Sequence, residues 1–230
     1  MIEINVYLTT ISSCLIGNQT ESFSIGGVDQ STTIDENNRP IIHGSAFKGA
    51  LRNIIREQEK EGKMNETKIF VRLLLKKILE KYKSVRKTEK INRIISIIEE
   101  KYNNCKAEYI FGIEGINGLP RIYCSDFRFS ECKNMNMDNY FFIETKNCLV
   151  ENNGEILSNP RTYRVVKPKV VFKGMLWLND MFLVDIEENK EIMMAVESEI
   201  RDALLKFNEG LHRIGNSKSR GYGQIEIDLD

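Results

Sequence analysis

Histidine, tryptophan and proline are all scarce in this chain, with two His, one Trp and four Pro among 230 residues. Two histidines leave little material for a histidine-based metal cage. The five cysteines (Cys14, Cys105, Cys124, Cys132, Cys148) are odd in number, widely spaced and without a CxxC pair. Such a set does not make a disulfide framework and reads as free thiols of a reducing cytosol. A zinc site of Cys124, Cys132 and a histidine is the one metal–thiolate arrangement left open. No apolar run reaches the roughly 18 residues that a membrane-spanning helix needs. The opening "MIEINVYLTTIS" has Glu3 and no basic stretch, so it reads as a first strand and not as a signal peptide.

What the chain does have is ordinary globular material, 41% hydrophobic and 29% charged. Net charge is zero, which at first argues against a polyanionic partner. The distribution argues otherwise. Residues 60–106 hold 14 Lys and Arg against 6 Glu, a surplus of eight that the rest of the chain cancels. An asymmetry of this size can present a polyanion-facing surface inside a neutral total, or a solvated lysine-rich helical face.

Periodicity gives the organisation. Ile2, Ile4, Val6 and Leu8 alternate with polar residues and predict a half-buried strand. A long polar stretch follows, up to Pro40, of the kind that is usually functional or disordered. From Ser45, placed to cap a helix, Phe47, Leu51, Ile54 and Ile55 fall on one face and predict a helix over 45–57. Residues 66–83 and 88–103 read as two further helices, an inserted hairpin that carries the basic charge as a lid over 60–106. From 107 the texture turns to strands, then Glu191 to Phe207 is amphipathic helix, and "GQIEIDL" closes as a strand. Strands separated by helices in this order predict α+β with an antiparallel sheet, of the split βαβ, ferredoxin-like kind, in one domain over 1–230.

Two segments carry candidate chemistry. In "RPIIHGSAFKGALRNIIRE" (39–57), Gly44 and Gly49 bracket a helix start, and Lys48 and Arg52 lie one turn apart on one face. An anion at that helix N-terminus would meet backbone N–H groups as well as Lys48. In "RIGNSKSRGYGQIEI" (213–227), Gly215, Gly221 and Gly223 permit positive φ and close backbone approach beside Lys218, Ser219 and Arg220. Arginine there suits two phosphate oxygens at once. A nucleotide P-loop is excluded, because Ser217 and not glycine precedes Lys218, and because the loop follows a helix and precedes a strand. A plain capped helix and a plain glycine turn are the structural alternatives.

Taken with "YIFGIEGINGLPRIYCSDFRF" (109–129) and "ENNGEILSNPRTYRVVKPKVVFKG" (151–174), these segments resemble, in order, those of the RAMP superfamily of CRISPR–Cas proteins, and within it the repeated backbone subunit of type III effector complexes. The family usually has proline where His43 stands and serine where Ala46 stands. The resemblance implies a ferredoxin-like, RRM-related core, a helical lid and a β-hairpin thumb, here about 148–166, which wedges between bases. It implies a guide RNA and a target RNA as partners, with copies of this chain and other effector subunits alongside, in the cytoplasm and away from any membrane. Phosphate contacts would come from Lys48, Arg52, Lys218 and Arg220 with Ser45 and Ser219, and amides would join at Gly44, Gly49, Gly215 and Gly221. Arg161 and Tyr163 would stack on bases or wedge between them, whereas Tyr222 is expected to pack on the sheet. In the subgroup that cuts target RNA, an aspartate after the first glycine pair is required. Its match is Asp29 in "GGVDQST", with Asp35 as a helper and Mg²⁺ or Mn²⁺ as the ion Asp29 would recruit. Without the resemblance, Asp29 reads as a turn former. The alternatives are a non-catalytic RNA-binding subunit, or a metal-independent processor of guide precursors with His43 as general base.

Overall fold

A computed structural model describes residues 2–17, 28, 30–86, 88–116, 119, 121–132, 140–152, 155–179 and 188–230. Nine strands and four helices are seen among them, in the order β1 (Ile2–Thr10), β2 (Gln30–Ser31), β3 (Ile41–Ile42), α1 (Gly44–Lys60), α2 (Asn65–Lys83), α3 (Glu89–Asn103), β4 (Ile122–Cys124), β5 (Phe127–Cys132), β6 (Phe141–Asn152), β7 (Glu155–Val166), β8 (Val170–Leu178), α4 (Glu188–Leu205) and β9 (Ile225–Leu229). The architecture is α+β with antiparallel pairing dominant, as the alternation of strand and helix texture predicts. It is built as two compact units, each assembled from three separate stretches of sequence. One takes Met1–Ile4, Lys48–Cys124 and Met175–Lys206, the other Asn5–Phe47, Ser125–Gly174 and Phe207–Asp230.

The second unit is mostly sheet. It holds most of a sheet of strand order β3-β5-β8-β1-β9, lacking only the first residues of β1 and the last of β8, with β3 antiparallel to β5, β5 to β8, and β1 to β9. In β1, Ile4, Val6, Leu8 and Thr10 are buried and the residues between them are not, which is the period-2 pattern read from the sequence. Thr10 ends the strand by a tertiary device. Its hydroxyl donates to the Lys167 carbonyl at 2.7 Å and accepts from the Val170 N–H at 3.0 Å, which pins the turn entering β8. Three aromatic rings fill the core here: Phe47 lies 4.4 Å from Phe127 and 5.4 Å from Phe207, centroid to centroid.

A second, three-stranded sheet in the same unit runs β2-β7-β6. β6 and β7 pair over twelve positions, from Phe141↔Val166 to Asn152↔Glu155. The ribbon therefore starts seven residues before the expected Cys148. β2 joins it in parallel, Gln30 opposite Tyr163 and Ser31 opposite Arg164, a pairing to which local sequence is blind.

The first unit is mostly helical. α2 buries Phe70, Val71, Leu74, Leu75 and Ile78, whereas in α3 only Ile98 is buried, so α3 forms the outer layer of the hairpin. Thr88 caps α3 by accepting the Ile91 N–H. The N-terminus of α2 is capped from α4: Glu199 accepts the N–H groups of Glu66 and Thr67 at 3.0 and 2.8 Å and the Thr67 hydroxyl at 2.7 Å. In this unit, β4 pairs with the last residues of β8, from Ile122↔Leu178 to Cys124↔Leu176.

Candidate nucleic-acid interface

The glycine loop is held by its neighbours and displays its cations. Asn216 N–H donates to the Leu15 carbonyl at 2.8 Å, Gly223 N–H to the Ser13 carbonyl at 2.9 Å, and Ile214 N–H to the Gly223 carbonyl at 2.9 Å. Between these anchors Lys218–Arg220 forms one turn of 3-10 helix, flanked by Ser217 and Gly221 in left-handed conformation. Lys218, Ser219, Arg220 and Gly221 are exposed. The turn closes on itself, with Arg220 N–H donating to the Ser217 carbonyl and Gly221 N–H to the Lys218 carbonyl. The Gly221 amide expected to meet phosphate is thus already engaged within the turn.

The N-terminus of α1 departs further from expectation. The helix begins at Gly44, and Ser45 lies inside it, exposed. Gly44 N–H donates to Asp126 Oδ1 at 2.9 Å, while Ala46 and Phe47 N–H both donate to the His43 carbonyl. A carboxylate from 82 positions along the chain thus stands where an anionic ligand was expected, and it suits the positive end of the helix dipole. His43 Nδ1 lies 3.6 Å from the same oxygen. Gly49 is in the second turn, where its N–H belongs to the helix ladder.

Lys48 and Arg52, in the helical unit, share one support. The Phe111 ring lies 5.8 Å from the Lys48 ammonium and 5.3 Å from the Arg52 guanidinium carbon. Burial holds the Lys48 pKa below the ordinary lysine value, and the charge of Arg52 acts in the same direction.

In the sheet-rich unit the ribbon and the glycine loop are locked together. The Tyr222 hydroxyl donates to Glu144 on β6, and Lys146 Nζ sits 3.9 Å from the Tyr222 ring centroid. Burial, then the hydrogen bond to Glu144, drives the Tyr222 pKa up. Tyr222 is buried with Leu15, Tyr163 and Val165 in a small core, against which Phe142 packs. Tyr163, expected to stack on bases, is 6% exposed and spends its ring in this core. Arg161 shares its face of β7 by the period of two but is exposed. The ribbon continues past the Arg161↔Lys146 pair for six more pairs, about 20 Å.

The sequence profile described as "RAMPs: RAMP superfamily" matches residues 7–226. The chain belongs to the RAMP superfamily. Sequence comparison with curated proteins gives no match. In fold, this RAMP chain is similar to a chain of the "Cryo-EM structure of the Type III-B Cmr-beta bound to cognate target RNA", with a TM-score of 0.60 at 19% identity. The match covers 99% of this chain and 59% of that one, so this chain spans about three-fifths of its neighbour's length.

Of the acidic residues singled out, Asp29 lies outside the described residues; Gln30, which follows it in sequence, is the residue paired with Tyr163. Asp35 has a structural task. Its side chain is 2% exposed. Oδ1 accepts the N–H groups of Asn37 and Arg39, both at 2.9 Å, and Oδ2 accepts Arg39 Nε at 3.2 Å. Burial alone would raise its pKa; these hydrogen bonds outweigh burial and hold it below the usual aspartate value. Asp35 therefore clamps the turn to Arg39, with three of its carboxylate's lone-pair sites taken. Among the described residues no group of three His, Cys, Asp or Glu could hold a metal ion. Cys14, Cys105 and Cys124 are free thiols, pushed up by burial to about 12, about 11 and about 12 respectively. Among these residues, too, no helix is long and apolar enough to cross a membrane.

Sequence reasoning missed Asp126, Phe111 and Glu144. The "CSDF" segment was visible as a motif, but its partner Gly44 is not within reach of any local rule. Nothing in the sequence marks Phe111 as the support of two cations.

Proposed function

We propose that this chain is an RNA-binding subunit of a type III CRISPR effector complex in the cytoplasm, holding the guide strand largely through its backbone and cutting the paired target RNA. The observation that carries the reading is the tie between ribbon and glycine loop through Tyr222 and Glu144, which presents Arg161 together with Lys218, Ser219 and Arg220. Cations on a rigid loop beside a protruding ribbon are suited to gripping phosphates while the ribbon enters between bases. Membership of the superfamily and the fold shared with a chain from a complex bound to target RNA support it. The strand order β5-β8-β1-β9, with α1 and α4 falling between successive pairs in sequence, supports a ferredoxin-like core. In the helical unit, Lys48 and Arg52, steadied by Phe111, offer phosphate contacts of their own. Other copies of this chain and other effector subunits complete the assembly.

Cutting would need little covalent chemistry from the protein. The target's own 2′-oxygen attacks the adjacent phosphorus, its proton leaves to solvent, and the 5′-oxygen departs, giving a 2′,3′-cyclic phosphate and a 5′-hydroxyl. A ribbon that splays one nucleotide brings these three atoms into line. Asp29 is assigned to recruiting a divalent ion to the reacting phosphate. Asp35, as helper, would have one lone-pair site of Oδ2 left to offer, since Asn37 and Arg39 take the other three. A divalent ion, if recruited, would neutralise charge on the pentacoordinate phosphorus.

The test is target cleavage by the assembled complex, wild type against Asp29→Ala, in Mg²⁺ or Mn²⁺ and in EDTA. The expected result is a ladder of regularly spaced target fragments that Asp29→Ala and EDTA both abolish, with assembly unchanged. Cutting that survives Asp29→Ala removes the catalytic assignment. Absence of cutting by the wild type leaves the non-catalytic RNA-binding subunit as the function. The nearness of His43 to Asp126 favours one second reading, a guide-precursor nuclease, which predicts precursor cleavage in EDTA that His43→Ala abolishes.

A further inference from the structure

The two cations predicted on α1 are the first half of a longer row. Lys48, Arg52, Arg56 and Lys60 recur at every fourth position. Residues so spaced form a ridge inclined about 26° to the helix axis, each step rising about 6 Å. That step is comparable with the distance between successive phosphates of an extended single strand. All four lie in the helical unit.

The row ends in a cleft of about 600 Å³, formed where the C-terminal end of α1 meets α2 and the Ala107–Phe111 turn. Its lining carries four cations and two carboxylates, and the carboxylates are already spent. Glu59 Oε1 takes Lys68 Nζ at 3.1 Å and Glu59 Oε2 takes the Ala107 N–H at 3.0 Å. Glu108 takes Arg56 Nε at 2.6 Å. Both acids are recessed, with side chains 18% and 14% exposed, while Lys68 and Arg56 stand at 45% and 47%. An entering ligand therefore meets the cations first. The other two, Lys60 and Lys106, are exposed, and among the described residues neither has a carboxylate in an ion pair with it. The helix dipole accounts for Lys60, in the last turn of α1. It does not account for Lys106, which precedes a helical turn, where a cation gains nothing from peptide dipoles.

We infer that this cleft is a phosphodiester subsite, in which Lys60 and Lys106 hold backbone phosphate of an RNA strand led to it along the Lys48–Arg52–Arg56 row. The inference rests on the RNA-binding reading above and extends the bound strand from the predicted contacts onto the base of the basic helical hairpin.

The test is titration of fluorescent single-stranded RNA with the full chain, over a range of salt, for wild type, Lys60→Glu/Lys106→Glu, and a control of equal charge change, Lys76→Glu/Lys90→Glu, on exposed lysines elsewhere on the hairpin. Two lost phosphate contacts on a single strand lower the slope of log K against log salt by about 1.4 and weaken binding about tenfold at low salt. The control is expected to stay within about twofold. Wild-type binding by the cleft variant, or an equal loss in the control, overturns the subsite while leaving the RNA-binding reading intact. A wild-type chain that binds no RNA at low salt sinks both. Should the charge reversal disturb folding, judged by its melting curve, Lys60→Gln/Lys106→Gln carries the same comparison with half the charge change.

Discussion

Gly221 and Gly223 both have left-handed backbone, with φ of 92° and 78°, yet alanine should behave very differently at the two. At Gly223 an added Cβ would lie 1.9 Å from the Ile214 carbonyl oxygen, against backbone that cannot swing away. Relief requires Ile214 and Gly223 to separate, which breaks the Ile214–Gly223 hydrogen bond and strains the one from Gly223 to Ser13. Two backbone hydrogen bonds at about 1 kcal/mol each, with about 1–2 kcal/mol for a left-handed alanine, give a cost of about 3–4 kcal/mol. At Gly221 nothing lies within 4 Å of the added atom, so only the conformational cost of about 1–2 kcal/mol remains. In a chain of this size the two costs correspond to losses in Tm of roughly 10 °C and roughly 4 °C. RNA binding should reverse the order of interest. Gly221→Ala still folds, but it sets a methyl beside Lys218 and Arg220 where the strand passes, and its affinity should fall several-fold. Urea denaturation and RNA titration on the same preparations check both. Equal destabilisation by the two substitutions would refute the packing argument. Wild-type affinity in Gly221→Ala would mean that this glycine serves the turn and not the ligand.

Two further outcomes follow from the contacts around the interface. Asp126→Ala removes the cap of α1 and should cost about 1 kcal/mol in denaturant unfolding; it also removes a carboxylate from the helix N-terminus, so RNA affinity should hold or rise, and a fall would mean that Asp126 helps to hold the ligand. Tyr222→Phe should cost about 1–2 kcal/mol at neutral pH through the lost bond to Glu144. Because the folded pKa of Tyr222 is raised above its ordinary 10.0, the unfolded chain gives up that proton first, so stability is full below pH 10 and declines above it. The Phe variant should lose part of that alkaline decline, which unfolding at pH 8 and pH 10.5 measures.

Much of the scaffold was legible from local pattern. α2 and α3 begin and end within one residue of the expected 66–83 and 88–103, because helical periodicity and a Thr88 cap are written into neighbouring residues. β1 alternates as Ile2, Ile4, Val6 and Leu8 require. The interface was less legible. Ser45 was expected to cap α1, yet Asp126 does so, because any carboxylate that folding brings to an open amide competes with the local hydroxyl. Tyr163 was assigned to bases, yet it is buried, because the ribbon grows out of a small core that Tyr222 and Leu15 complete. Asp35 was set beside Asp29 as a helper, yet its oxygens close the turn to Arg39.

By itself the sequence determined the elements, the basic charge of residues 60–106 and the glycine loop, since each depends on residues a few positions apart and on the propensities those residues carry anywhere. Only the tertiary structure decided which amides are already taken, which cations share the Phe111 ring, and which carboxylates in the α1 cleft are spent. Those are pairings between residues far apart in sequence, chosen when the core buries its apolar faces, and no spacing rule encodes them.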